Sequence, residues 1–156
     1  MPSFMSHGII GYQLFGYKGL IAGILPDLLG FSYYTYKLAF VHKTFDFKKT
    51  LSEWVPSEWV PIDKMTETDW LLYAISHSLI LWTFMYMVSG EKAIFGAIFA
   101  IIMDIFLHSK EKWKGPAFFW PVSDYRFDGI HWYSKLGYLI TLITICLTHV
   151  LKNEVY

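Results

Sequence analysis

Four apolar stretches, at about 9–31, 70–88, 93–107 and 136–151, set the terms on which this chain can fold. A bilayer core takes about 20 helical residues, within a range of about 17–25. Water-soluble domains carry about 25% charged residues; here the share is 17%, against 54% hydrophobic and 20% aromatic. The expectation is an all-α, polytopic helical membrane protein, one integral membrane domain over residues 1–156. Stretch 70–88 has the length of a full span. Stretches 93–107 and 136–151 are short, which snorkelling side chains or local bilayer thinning accommodate. These three are read as spanning helices.

The first stretch is of another kind. It holds Gly11, Gly16, Gly19 and Gly23, with Gly8 at its edge and Lys18 near its centre. A mid-bilayer lysine costs about 2.5–3.5 kcal/mol on insertion scales, and Phe15-Gly16-Tyr17-Lys18-Gly19 reads as a turn. The stretch is therefore either a fourth span with a buried lysine or an N-terminal re-entrant hairpin of two half-helices, and the turn favours the hairpin. Backbone of that kind survives at membrane depth only where protein or a water-filled cavity covers it. The N-terminus lacks the charged region and cleavage site of a secretory signal, so this stretch is expected to stay in the mature protein.

Two polar loops, about 32–69 and 109–135, separate the apolar stretches. The first carries Lys37, Lys43, Lys48, Lys49 and Lys64, and the second Lys110, Lys112, Lys114, Arg126 and Lys135; the other side offers Lys92 and Lys152. By the positive-inside rule both loops face the cytoplasm. Ser52-Glu-Trp-Val-Pro56 is repeated as Ser57-Glu-Trp-Val-Pro61, too few copies for a repeat fold, and Trp54 and Trp59 suit the headgroup level. Thr66-Glu-Thr68-Asp69 has the form of a helix start. The zero net charge argues against a nucleic-acid partner. A single cysteine, Cys146, rules out an intramolecular disulfide and a cysteine-based zinc site; within its apolar run it is expected to be a small buried hydrophobe.

Chemistry concentrates where ionisable groups interrupt the apolar stretches. Asp104 and His108 are one helical turn apart, on one face. Ionisable groups at membrane depth are costly and face a partner, a cavity or an ion, and carboxylate with imidazole is a natural metal-ligand pair. Asp27 ends the first stretch, and His77 lies about two turns into the second. Helix polarity places all four toward the membrane face that carries the long loops. His7 precedes Asp27 by twenty residues, about 30 Å on a continuous helix, so a single span separates the two and a hairpin reunites them. His42 and His149 have no supporting neighbours and read as structural, and His131 is a loop histidine or a rim ligand.

Taken together, His7, Leu25-Pro26-Asp27, His77-Ser78, Asp104-x-x-x-His108 and Phe119-Trp120-Pro121 resemble the YdjM-like membrane-bound metal-dependent hydrolases. The stretch 104–132 is especially similar to an uncharacterised bacterial branch of that group. The chain departs from the family pattern at Ala100, where many members have a histidine, and at 73–78, which lacks an arginine and a first histidine. The resemblance implies an integral protein of the bacterial inner membrane with a divalent-metal site.

His7, Asp27, His77, Asp104 and His108 are then the metal ligands. Their mixed N/O donors suit zinc, with manganese or iron as alternatives. Such an ion would bring the pKa of bound water to about 7 and polarise a phosphoryl or acyl oxygen. Asp124 or Asp128 would serve as general base or hold a second ion, and Arg126 would hold a phosphate through its planar fork. At the membrane interface, among membrane lipids, the expected substrate is a phospholipid-like or other amphiphilic ester. A rival reading is a non-enzymatic protein whose His/Asp groups cross-link helices, but such contacts average about 0.6 kcal/mol, so packing alone does not require five of them. The third is a metal or proton transporter.

Overall fold

The structure, a computed structural model, describes residues 2–41, 65–108, 115–130 and 134–155. The Ser-Glu-Trp-Val-Pro duplication, His42 and His131 lie outside the described residues. Among those described the chain is all-helical: α1 (Pro2–Tyr36) with a π-helical turn, Lys37–Val41, at its end, then α2 (Glu67–Ser76), α3 (Leu79–Ser89), α4 (Ile94–Leu107) and α5 (Lys135–Val155). Phe4–Tyr36 and Lys135–Lys152 are each long and apolar enough to cross a membrane, and α2 with α3 qualifies as one span bent by 45°. By length and composition, the described residues thus hold two helices able to cross a membrane, or three with the bent pair.

Length alone misdescribes α1. Phe15 and Gly16 leave the helical region, with Gly16 at φ 63° and ψ −152°, a backbone state open essentially to glycine alone. The chain turns back there, and its two arms, 2–14 and 17–36, lie against each other. A Cβ on Gly11 would stand 2.1 Å from the Gly19 carbonyl oxygen, and one on Gly23 would stand 2.4 Å from that of His7. The regularly spaced glycines thus let two backbones touch, and the touching arms carry His7 to the level of Asp27. At the tip Lys18 Nζ donates to Glu91 at 2.9 Å, which holds the Glu91 carboxyl below its usual range. This bond ties the turn to the α3–α4 connection.

The 70–88 stretch, expected as one helix, is two. α2 begins as its sequence predicts, with Asp69 Oδ2 accepting from the Thr66 N–H at 2.7 Å, and ends at His77. Ser78 caps α3, its Oγ accepting from the Leu81 N–H at 3.2 Å. No proline or glycine causes the break; tertiary partners support it. Trp82 Nε1 donates to the Ser76 carbonyl at 2.7 Å, the Leu79 N–H to the Phe118 carbonyl at 2.9 Å, and the Ser78 hydroxyl to the Trp120 carbonyl. The non-helical backbone is covered by protein, as its depth in an apolar bundle demands.

α4 packs along α1, with Gly96 against the Gly19 backbone. Trp82, Ala97, Ile101, Ile105 and Phe118 form the central cluster. α5 lies on the outside and reaches α1 through Thr148, whose hydroxyl donates to Gln13. Only one side of α5 packs, so Cys146, expected to be buried, is exposed with the apolar residues around it.

Because the arms of α1 meet backbone to backbone, Gly11→Ala is expected to cost about 1–3 kcal/mol of stability as overpacking. Leu142→Ala, on the outer face of α5, should stay within about 0.5 kcal/mol. Thermal unfolding in detergent reads both, and equal midpoints would refute the close contact.

Candidate metal centre

Four helical segments meet around one buried point: the two arms of α1 pass it, α2 breaks to α3 there and α4 ends there. His7 comes from the first arm of α1 and Asp27 from the second, His77 from the α2–α3 break, and Asp104 and His108 from the end of α4; all five are buried. His108 lies just outside α4, yet its Nδ1 is 2.7 Å from the Asp104 carbonyl oxygen. The sequence-predicted ligands are therefore brought together, including the His7–Asp27 pair that required the chain to fold back.

The donor geometry is specific. His7 Nδ1 is 3.1 Å from Asp27 Oδ2, and its Nε2 is 3.5 Å from Asp104 Oδ1. His77 Nε2 faces both carboxylates, 3.4 Å from Asp27 Oδ1 and 3.5 Å from Asp104 Oδ2. One ligand atom each from His7, Asp27 and Asp104 can be chosen so that all lie within 4.8 Å of one another. With ligand bonds of about 2.0–2.1 Å, neighbouring donors around one ion stand about 3.0 Å apart in an octahedron and about 3.4 Å in a tetrahedron. The single N···O separations of 3.1–3.5 Å have that size. Those of His7, however, involve both of its ring nitrogens, of which one ion takes one. Among the described residues the one-atom set is His7, Asp27 and Asp104, without His77 or His108.

Neighbouring groups orient His77. Its Nδ1 lies 3.1 Å from the Tyr73 carbonyl oxygen and 2.9 Å from Ser76 Oγ, and the Ser76 hydroxyl itself donates to that carbonyl at 3.0 Å. Donation from Nδ1–H to the carbonyl leaves Nε2 as the nitrogen that faces the carboxylates. A lone pair aimed at two carboxylate oxygens is repulsive unless Nε2 is protonated or shares a cation with them. This backbone-held tautomer is the arrangement that orients metal-ligating imidazoles. The Tyr73 ring packs on His77 at 4.1 Å between centroids. His108 meets the cluster through Nδ1, which is 3.7 Å from Asp104 Oδ1 as well as 2.7 Å from the Asp104 carbonyl oxygen.

The 115–130 segment supplies the remaining candidates. Gly129 N–H donates to the His108 carbonyl at 2.8 Å and Ile130 N–H to that of Phe106 at 2.8 Å, so Asp128 stands beside the end of α4, with its side chain exposed. Asp124 is exposed further along the segment. Arg126 is half-buried, donates to the Gly115 carbonyl and lies over the Trp70 ring at 5.7 Å.

Sequence reading passed over Ser76 and Tyr73. Their one available signal was spacing, since Asp69, Tyr73, Ser76 and His77 share one helix face. It also passed over the Lys37–Asp69 pair, in which the fully buried Asp69 accepts from the Lys37 ammonium. No family model, curated protein or solved structure matches this chain.

If His7 and Asp27 interact directly, His7→Gln and Asp27→Asn should be non-additive. The double variant should lose less stability than the sum of the singles, by about 0.5–3 kcal/mol. Denaturant or thermal unfolding of the four proteins measures the difference, and strict additivity would dissolve the pair.

Proposed function

We propose that this chain is a membrane-bound metal-dependent hydrolase whose ion is held by His7, Asp27, His77 and Asp104, with His108 beside Asp104. The observation that carries the reading is His77, tethered through Nδ1 to the Tyr73 carbonyl while Nε2 faces Asp27 and Asp104 at 3.4 and 3.5 Å. The donor set fits zinc, with manganese or iron as alternatives. A bound ion of this kind would supply an activated water and polarise the scissile ester.

The chain's own residues have separable tasks in this scheme. Asp27 and Asp104 balance the ion's charge in an apolar interior. Ser76 and the Tyr73 carbonyl keep His77 Nε2 turned toward it. Asp128, whose neighbour Gly129 donates to the His108 carbonyl at the end of α4, takes the general-base role ahead of Asp124. Arg126, fixed by the Gly115 carbonyl and the Trp70 ring, offers a cation to a phosphate ester. The hydrolytic use of the centre rests on the resemblance to the YdjM-like group, and the substrate class, an amphiphilic ester, on the membrane setting. Topology follows the same reading: α2–α3 and α5 as spans, the 14-residue α4 as a partial span that ends near the cluster, and α1 as a hairpin entering and leaving on one side.

One observation favours a second reading. His7 presents each ring nitrogen to a different carboxylate, as a doubly protonated imidazolium would, so the five groups would cross-link helices without an ion.

Metal analysis separates the two. Protein purified without chelators should carry a divalent ion that Asp104→Ala and His77→Ala lack, while Ser76→Ala should weaken its affinity about 10-fold. Ester or phosphodiester turnover should vanish with the ion. Metal-free wild type that keeps its stability in chelator would establish the cross-link, and metal without turnover on any lipid ester would remove the hydrolase.

A further inference from the structure

Three helices measure the depth of the cluster independently. On the second arm of α1, Asp27 stands nine residues from Lys18 and ten from Lys37, about 14 and 15 Å at the helical rise. On α4, Asp104 is ten residues from Ile94, about 15 Å from the end where Glu91 meets Lys18. Along α2 and α3, His77 is eight residues from Asp69 and twelve from Ser89, about 12 and 18 Å. The second arm of α1 and the α2–α3 pair put the cluster near the middle, between a Lys18–Glu91 layer and a Lys37–Asp69 layer, and α4, which ends three residues beyond Asp104, gives the same distance from the first layer. Those layers are about 28 Å apart along α1, close to the roughly 30 Å of a hydrocarbon core. Between them the outer faces are apolar: Ile21, Leu28 and Leu29 on α1 and Leu142, Ile143 and Leu147 on α5 are all exposed. Lipid chains are the partner that such a band fits.

The two halves on either side of the cluster differ. Toward Lys18–Glu91, backbones meet through Gly11, Gly19, Gly23 and Gly96, and Ala97 and Ala100 fill what remains, 0% and 1% exposed. Packing this close leaves no room for a polar ligand. Toward Lys37–Asp69, α2 turns a buried polar face inward, Asp69, Tyr73, Ser76 and His77, one above another, and there Gly30 of α1 meets polar side chains, Ser76 and His77, instead of backbone. Asp69 Oδ2 accepts from the Lys37 ammonium and from Thr66, whereas the buried Oδ1 has no partner among the described residues. A buried carboxylate oxygen in that position calls for a donor such as water.

We propose that the His/Asp cluster lies at the mid-plane of the bilayer and communicates with water from one face only, along the polar side of α2 that ends at Lys37 and Asp69. The ligand of this track is water, together with the polar end of a substrate drawn in from that face. The depth stands whether or not an ion is bound. One-sided access deepens the hydrolase reading, because a transporter needs a route on both sides. It also moves the centre from the headgroup level, where loop charge alone suggests it, to hydrocarbon depth.

Depth is read by spin labels in nanodiscs of phosphatidylethanolamine and phosphatidylglycerol, on a Cys146→Ser background. Tyr17→Cys, Ile21→Cys, Leu28→Cys and Tyr36→Cys lie along the exposed side of the second arm. Oxygen accessibility relative to that of a water-soluble nickel complex should peak at Leu28→Cys and fall toward both Tyr17→Cys and Tyr36→Cys. A profile rising steadily toward either end would overturn the mid-plane position. For access, a cationic methanethiosulfonate should modify Ser76→Cys at least tenfold faster than Ala97→Cys, each first checked for folding by size exclusion. Equal rates, or faster reaction at Ala97→Cys, would overturn the one-sided track. Neither readout depends on metal, so they can fail while metal binding succeeds, and the reverse.

Discussion

Two carboxylates in the interior of an apolar helical bundle are the constraint around which this protein is arranged. Asp27 and Asp104 are each about 3% exposed at their side chains. An ionised carboxylate in such a place is costly unless it is paired and hydrogen-bonded. The features that look irregular elsewhere each bring a compensating group to these two. The turn at Phe15-Gly16 returns His7, the α2–α3 break releases His77 from a helical register, and α4 stops where His108 can fold back onto the Asp104 carbonyl. The departures from regular helix are thus the means by which the charge is compensated.

The same constraint explains which features could be read from the sequence. The reversal of α1 was legible because glycine and lysine at mid-stretch are local signals, and because His7 and Asp27 have a common site only if the chain folds back. The break at His77-Ser78 was not legible. Nothing at 73–79 disfavours a continuous helix, and the groups that satisfy the opened backbone, Trp82, Phe118 and Trp120, arrive from elsewhere in the chain. Cys146 was misread for a related reason: an apolar run shows that water is absent but not whether protein or lipid replaces it.

Depth shows the difference between pattern and geometry most clearly. Loop lysines indicate which end of each helix meets an interface, and they drew attention to the ends of the apolar stretches. Helix arithmetic on three packed segments uses other information, namely which residues stand at one level. Gly96 beside Gly19 and Gly23 fixes α4 against the second arm of α1, and the distances from Asp27 and Asp104 to the Lys18–Glu91 layer then agree without adjustment. Asp69 and Lys37 acquire meaning only in this frame, as the polar end of a helix face that leads to His77.

A centre at hydrocarbon depth changes the demands on the residues around it. In water, solvent would share the work of holding an imidazole tautomer or offsetting a carboxylate. Here the Tyr73 carbonyl, the Ser76 hydroxyl and the Asp104 carbonyl must do so, because local dielectric screening is weak and an unmade hydrogen bond is expensive. Asymmetry between the two halves follows from the same economy. Glycine and alanine contacts on one side exclude water and fix the distance between the arms that carry His7 and Asp27. Polar residues on the other side admit the water that any hydrolytic use of the centre requires. A site open on both sides could not keep that tight Gly11–Gly19 contact, and without it the His7–Asp27 pair would lose the geometry on which the cluster depends.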